Sequence, residues 1–85
     1  MQIPESESNE IRNRLARAQG QLGGVLRMLD EGRDCSEVIT QLAAAQAAVS
    51  RAAFKLLSSG IAACENGSAG DKDRTRLEKA FLALS

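Results

Sequence analysis

The chain has 85 residues, and its eleven Lys and Arg balance eleven Asp and Glu, so no overall charge draws it toward nucleic acid or membrane. A chain this short, here without Trp or Tyr, buries a thin core, and association with further copies is the usual remedy. The absence of His excludes His-based acid–base catalysis and Cys2His2 zinc sites, and no glycine-rich phosphate loop is present. We therefore expect one small domain that is not an enzyme and has no resident cofactor.

The first predicted helix follows a polar N-terminal segment. Residues 1–9 contain Pro4 and mostly polar side chains, which predicts a disordered tail ahead of a domain over 10–85. From Ile11 to Leu29, apolar residues recur at three- and four-residue steps, the pattern of an amphipathic helix. Asn9 is the expected cap of this helix, and Gly32 is its expected stop.

The second predicted helix is longer and runs from about Cys35 to Cys64, about 45 Å. Asp34 followed by Glu37 resembles a capping box at its start. Apolar residues then follow one seam, at Val38, Leu42, Ala45, Val49, Ala52, Leu56 and Ala63. Because a shorter helix cannot cover this seam, we expect a second copy of the same helix to pack against it.

The third predicted helix begins at about Lys72, after a loop over 66–70, with Asp71 as its cap. No segment shows the alternation of a strand, so the predicted fold is all-α with three helices. The sequence contains no apolar run of about 18 residues and no secretory signal at its start. We therefore expect a cytoplasmic protein without a membrane span.

The two cysteines could be small buried hydrophobic residues, but their positions favour a chemical role. Cys35 is expected at the start of helix 2, where unpaired N–H groups stabilise a thiolate, although Asp34 opposes this effect. Cys64 follows 29 residues later, so both project from one face, about 43 Å apart. Two antiparallel helices would bring Cys35 of one chain level with Cys64 of the other. Gly60, one turn before Cys64, offers no third ligand, which leaves linear Cu(I) binding or reversible sulfur chemistry.

A local basic surface is predicted on the first two helices. Helix 1 carries four Arg and no acidic residue between residues 11 and 29, and the stretch from 41 to 59 on helix 2 has only basic charges. The candidate contacts to DNA phosphates are Arg14, Arg17, Arg51 and Lys55. The alternative is a solvated helix face, since no helix-turn-helix, zinc-finger or basic-zipper pattern accompanies these residues.

Several short segments together resemble the copper-sensitive operon repressor (CsoR) family of bacterial regulators over about residues 11–64. These segments are Arg14-Leu15, Gly20-Gln21-Leu22, Gly24, Arg27-Met28, Cys35, Gln41-Leu42 and Cys64. The resemblance implies an antiparallel helical dimer that assembles into a disc-shaped tetramer and represses a promoter without a conventional DNA-binding motif. It also implies that an inducer at a cross-chain site lowers the affinity for operator DNA. Family members sense Cu(I), nickel or cobalt, formaldehyde or reactive sulfur.

The resemblance also assigns site residues. The family's inducer-sensing cysteines match Cys35 and Cys64, and its DNA-contacting basic positions match Arg14 and Arg51. The histidine of the copper sensors would fall at Gly60 and is missing. A Cys–Cys pair without His is similar to the sulfurtransferase-repressor (CstR) branch, which forms di-, tri- or tetrasulfide links between adjacent subunits.

The sequence therefore predicts a homotetrameric repressor whose affinity for operator DNA falls when Cys35 and Cys64 of adjacent subunits react with persulfide or polysulfide. One alternative is a Cu(I)-responsive repressor that uses the same two thiolates as metal ligands. The other alternative is a helical interaction module that does not bind DNA.

Overall fold

The computed structural model describes residues 2–65 and 70–84, which form three helices and contain no strand. Helix α1 spans Glu5–Asp30, α2 spans Cys35–Glu65 and α3 spans Asp71–Leu84. Helices α1 and α2 form an antiparallel hairpin, and α3 packs against α2. This confirms the all-α prediction. The loop predicted over 66–70 lies outside the described residues except for Gly70. Among the described helices, none combines the length and the apolar character needed to cross a membrane.

Helix α1 begins earlier than the sequence pattern predicts. Pro4, rather than Asn9, stands at its N-cap, and the Pro4 carbonyl oxygen accepts the N–H of Ser8 at 3.0 Å. Residues 5–9, assigned to the tail from sequence, are therefore helical. Acidic residues in the first turn of a helix are stabilised by the positive end of the helix dipole. Glu7 lies in this turn and also accepts a hydrogen bond from the hydroxyl of Ser59 in α2 at 3.1 Å. Apolar periodicity cannot detect this polar turn, because its stabilising contact comes from another helix.

The turn between α1 and α2 depends on one glycine. Gly32 has a φ of +68°, in the left-handed region that favours glycine. The Gly32 N–H donates to the Leu29 carbonyl at 3.2 Å, and the Arg33 N–H donates to the Met28 carbonyl at 3.0 Å. These two hydrogen bonds form a Schellman motif, which satisfies carbonyls that the helix end would otherwise leave unpaired. The predicted stop at Gly32 is confirmed.

The hairpin core is one seam of mostly small side chains. Every seventh residue along each helix is buried, at Ile11, Ala18 and Val25 of α1 and at Val38, Ala45, Ala52 and Ser59 of α2. The alanines allow the two helices to approach closely, but two helices side by side leave much of each helix uncovered. The residues of each predicted apolar stripe therefore fall into two groups. The alanines are buried in the seam between the helices, while the leucines remain exposed beside it.

Candidate functional site

Cys35 is the first residue of α2 and is exposed. Asp34 caps the helix, because its Oδ2 accepts the N–H of Ser36 at 3.1 Å and also accepts the Ser36 hydroxyl. These donors hold the pKa of the Asp34 carboxyl below its usual range. The negative charge next to Cys35 is therefore engaged with the helix N-terminus.

The predicted capping box is only half formed. A capping box needs Glu37 to reach back toward the N-cap residue, but Glu37 Oε2 accepts the Arg33 Nε at 3.0 Å instead. The Nη1 atom of Arg33 also lies 3.6 Å from Glu31 Oε2. The hydrogen bond to Glu37, with a smaller contribution from Glu31, raises the pKa of the Arg33 guanidinium. The Cys35 end of α2 is consequently open to water and surrounded by charged groups.

Cys64 has different surroundings, next to the last residue of α2. Its side chain is partly buried and lines a groove of about 650 Å³ between α2 and α3. Leu57, Ile61, Leu77 and Phe81 supply apolar walls for this groove, and the charged residues Glu65, Arg74 and Glu78 also line it. The two thiols thus differ, since one lies in a polar, open environment and the other is partly enclosed by hydrocarbon.

A single chain does not bring Cys35 and Cys64 together. Both lie on the continuous helix α2, which Gly60 does not interrupt, and 29 residues of helix correspond to about 43 Å. The Cα atoms of a disulfide are usually no more than about 7 Å apart, and neither cysteine forms a disulfide in this chain. Joint chemistry of the two thiols therefore requires two chains.

The residues of a single chain do not fit a metal ion held by several protein ligands. In the described part of the chain, no group of three or more His, Cys, Asp or Glu side chains could hold a metal. The position one turn before Cys64 is Gly60, which is buried and supplies no donor atom. Two thiolates from separate chains are the soft ligands that remain for Cu(I).

Three of the four predicted DNA-contacting residues line one groove between α1 and α2, the basic groove. Its lining consists of Arg14, Arg17, Gln21, Ala44, Ala47, Ala48 and Arg51. Alanines leave room between the arginines, where an anion could approach the helix surfaces. The Oε1 atom of Gln21 is buried without a hydrogen-bond partner. The lining thus brings three positive charges together and contains no acidic side chain.

Lys55, the fourth predicted residue, lies beside Glu10 rather than in the basic groove. Its Nζ is 3.7 Å from Glu10 Oε2, and Arg14 donates to Glu10 Oε1 at 3.2 Å. Glu10 immediately precedes the stretch without acidic residues, so the charge pattern of that stretch did not include it. The i, i+4 spacing from Glu10 to Arg14 was the signal that could have revealed this pairing.

The exposed leucines lie on the side of the hairpin seam opposite the basic groove. Leu22, Leu42 and Val49 line a shallow groove there, yet 42%, 47% and 41% of their surfaces remain exposed. Residues seven positions apart on one helix project in nearly the same direction. The surface therefore extends along both helices, and we define it as the apolar face: Leu15, Leu22, Leu29, Leu42, Val49 and Leu56. Stable monomers rarely expose a continuous apolar surface of this kind.

Comparison with known proteins gives a consistent picture. The model of a family described as metal-sensitive transcriptional repressors matches residues 7–84. The chain is 39% identical over 51 residues to the copper-sensing transcriptional repressor CsoR of Bacillus subtilis (strain 168), covering 60% of this chain and 50% of that protein. It is 33% identical over 58 residues to the copper-sensing transcriptional repressor RicR of Mycobacterium tuberculosis (strain ATCC 25618 / H37Rv), covering 68% of this chain and 60% of that protein.

The fold also resembles a solved structure, that of the nickel-responsive transcriptional regulator InrS. The TM-score is 0.72 at 28% sequence identity, and the match covers 91% of each chain. The three relatives are transcriptional regulators rather than enzymes. The chain spans about half the length of the curated repressors it matches, 50% and 60% respectively.

Proposed function

We propose that this chain, which belongs to the metal-sensitive transcriptional repressor family, is a cytoplasmic repressor of transcription. It binds operator DNA, and an inducer releases it from that DNA. The inducer is a persulfide or polysulfide, which reacts with Cys35 and with Cys64 of an adjacent subunit. The observation that carries this proposal is the pair of thiols at opposite ends of one continuous helix, with Gly60, which has no donor atom, one turn before Cys64.

Pairing of two chains through the apolar face supports the cross-chain site. Leu42 and Leu56 each stand seven residues from Val49, so α2 is complementary to an antiparallel copy of itself about Val49. Cys35 stands fourteen residues before Val49 and Ala63 fourteen residues after it. An antiparallel pair centred on Val49 would therefore set Cys35 beside the partner's Cys64. Twofold pairing gives two such sites per dimer, and two dimers form the proposed tetramer.

The sulfur chemistry at this site needs only two thiols and the inducer. The exposed Cys35 thiolate attacks the terminal sulfur of a persulfide RS–SH, which forms Cys35–S–SH and releases the thiol RSH after proton transfer. The thiolate of the partner's Cys64 then attacks the Cys35 sulfur and displaces HS⁻, leaving a disulfide. Two thiols are oxidised while one sulfane sulfur is reduced to sulfide. A polysulfide donor leaves a longer sulfur chain on Cys35, and attack further along that chain gives a tri- or tetrasulfide.

The bridge changes operator affinity by biasing the arrangement of the subunits. It joins the open end of one α2 to the partly enclosed end of the other, so it favours assemblies in which those ends lie close together. A hundredfold loss of DNA affinity requires about 2.7 kcal/mol of differential stabilisation between the two arrangements. We assign the DNA contacts to the basic groove, because its lining brings together Arg14, Arg17 and Arg51, and arginine side chains are common partners of DNA phosphates.

A Cu(I)-responsive repressor is the second candidate, because two relatives are named copper-sensing. Two thiolates from adjacent chains suffice for linear coordination of Cu(I). The same cysteines would then act as metal ligands, without forming a covalent bridge between chains.

Intact mass spectrometry under non-reducing conditions distinguishes these candidates. Reduced protein is treated with inorganic polysulfide, and in parallel with Cu(I) under anaerobic conditions. We expect covalent dimers with added sulfur masses, which Cys35→Ser and Cys64→Ser each abolish. Unmodified monomer after polysulfide, together with stoichiometric Cu(I) binding that releases DNA, would replace the sulfur proposal with the copper one.

A DNA titration tests the repressor assignment itself. Duplexes selected from a random-sequence pool are titrated with protein over a range of salt concentrations. Phosphate contacts predict a steep loss of affinity as salt rises. Failure to select any duplex, or an affinity independent of salt, would favour the helical interaction module.

A further inference from the structure

Gly60 makes a close contact with the third helix. A Cβ atom built at Gly60 would lie 3.0 Å from Leu77 Cδ1 and 3.4 Å from Leu77 Cδ2. Ordinary contacts between carbon atoms are about 3.5–4.0 Å, so a side chain at residue 60 would have to displace Leu77. Gly60 is buried within α2, and Leu77 is the α3 residue that covers it.

This contact lies beside one of the two thiols. Residues four apart on a helix are neighbours on the same face, so a side chain at 60 would stand next to that of Cys64. Leu77 lines the same groove as Cys64. A side chain at residue 60 would therefore meet the hydrocarbon of Leu77, which also lines the groove beside the thiol.

We propose that Leu77 is a specificity-determining residue, which together with Gly60 keeps a protein donor atom out of the position one turn before Cys64. This inference rests on the proposed function, since it concerns the same cross-chain site. A metal ion that needs a donor atom at residue 60 is disfavoured twice, because Gly60 supplies no donor and Leu77 crowds the place of a side chain there. A sulfur bridge requires only the two cysteines and is unaffected by the closure.

Zinc binding to a restored ligand set tests the closure. Zn²⁺ accepts His and Cys and binds well with three protein ligands and a water. Reduced wild type, Gly60→His, Leu77→Ala and the double variant are titrated with Zn²⁺ against a chromophoric chelator. We expect weak binding by wild type and Leu77→Ala, and a gain of about tenfold or less in Gly60→His. The double variant should bind about 100-fold more tightly than wild type, because its imidazole has room.

Three outcomes overturn the inference, and the third also removes the proposed function. Zinc affinity in Gly60→His equal to that of the double variant means that Leu77 is no barrier. A double variant that still forms polysulfide bridges but binds zinc no better than wild type means that residue 60 does not face the site, while the proposed function stands. In the third outcome, a folded double variant neither binds zinc nor forms polysulfide bridges, and wild type forms no bridges either. That result removes the cross-chain site and the proposed function with it.

A second measurement examines the contact without any metal. Gly60→Ala should lower the Tm in the wild-type background, because its Cβ meets Leu77. In a Leu77→Ala background the same change should raise the Tm or leave it unchanged, since alanine is the better helix former. Such coupling between neighbouring residues is what a double-mutant cycle detects. Equal effects of Gly60→Ala in both backgrounds would contradict a closure by Leu77.

Discussion

The apolar face and the basic groove are built from the same two helices but have opposite chemistry. Both surfaces flank one seam of small residues, and on α2 they are separated by a rotation of about 100°, the angle between consecutive residues. Ala48 lies in the basic groove, while Val49 lies on the apolar face. A thin hairpin can therefore assign one flank to self-association and the other to an anionic partner, and neighbouring residues separate the two roles experimentally.

The largest expected effect follows from placing a charge on the apolar face. Val49→Glu sets two carboxylates opposite each other at the proposed twofold axis, where burial of a charge is costly. We expect the variant to be monomeric by sedimentation at concentrations where wild type should form the proposed tetramer. It should also form no polysulfide-linked dimer, because the proposed approach of Cys35 to the partner's Cys64 would be lost.

Ala48→Glu is the matched control, since it adds the same charge one residue earlier. It should leave the oligomeric state unchanged and abolish DNA binding, because it places a carboxylate among the arginines of the basic groove. If Ala48→Glu dissociates the assembly as completely as Val49→Glu, the division of the hairpin into two surfaces is wrong.

The second prediction concerns the basic groove alone. Arg51→Ala should weaken DNA binding by about tenfold and reduce the slope of log affinity against log salt by about one, the effect of losing one phosphate contact. Arg12→Ala is the control, because Arg12 is exposed on α1 outside the groove lining. Equal losses in the two variants would indicate a general effect of charge rather than a defined groove.

The sequence predicted the helices of this hairpin better than it predicted its two surfaces. Apolar periodicity and Gly32 located the central parts of α1 and α2, because these depend on local propensity and turn geometry. Apolar periodicity did not distinguish the alanines that are buried from the leucines that are exposed. That division depends on which helix packs against which, and a single helical stripe carries no such information.

The same reason explains what was missed at the candidate sites. The charge pattern singled out Arg14, Arg17 and Arg51 as candidates, and the structure places them in the lining of one groove. The contact of Glu10 with Lys55 joins two helices, so the charge pattern of either helix could not show it. The contact of Leu77 with Gly60 was likewise outside the reach of periodicity. Long-range contacts of single side chains are set by packing, and the sequence fixes them only through the complete fold.

A third and smaller effect is expected from Glu10, which borders the basic groove. Its carboxylate pairs with Arg14 and Lys55, both exposed, so the pairs themselves contribute little to stability. It competes with DNA phosphates for the same cations. Glu10→Gln should therefore raise DNA affinity by about threefold, with an unchanged Tm, as measured by fluorescence anisotropy and thermal unfolding.

Glu5→Gln provides the control for that change, because it removes an equal charge in the first turn of α1. If Glu5→Gln raises DNA affinity as much as Glu10→Gln, the gain reflects net charge and Glu10 has no special position beside the groove.

The smallest effect is expected at the turn that sets the start of α2 and hence the placement of both surfaces. The Ser36 donors lower the pKa of Asp34 from its ordinary value of 3.8, so the charged carboxylate stabilises the folded state above about pH 4 and this contribution disappears as pH falls through the folded pKa. Asp34→Asn keeps a capping side chain without the charge. The Tm of wild type should exceed that of Asp34→Asn slightly at pH 7, and the difference should be smaller at pH 3. Asp34→Ala, which loses the cap itself, should stay below both at either pH. A difference between wild type and Asp34→Asn that widens on acidification would show that the Ser36 contacts do not favour the charged form of Asp34.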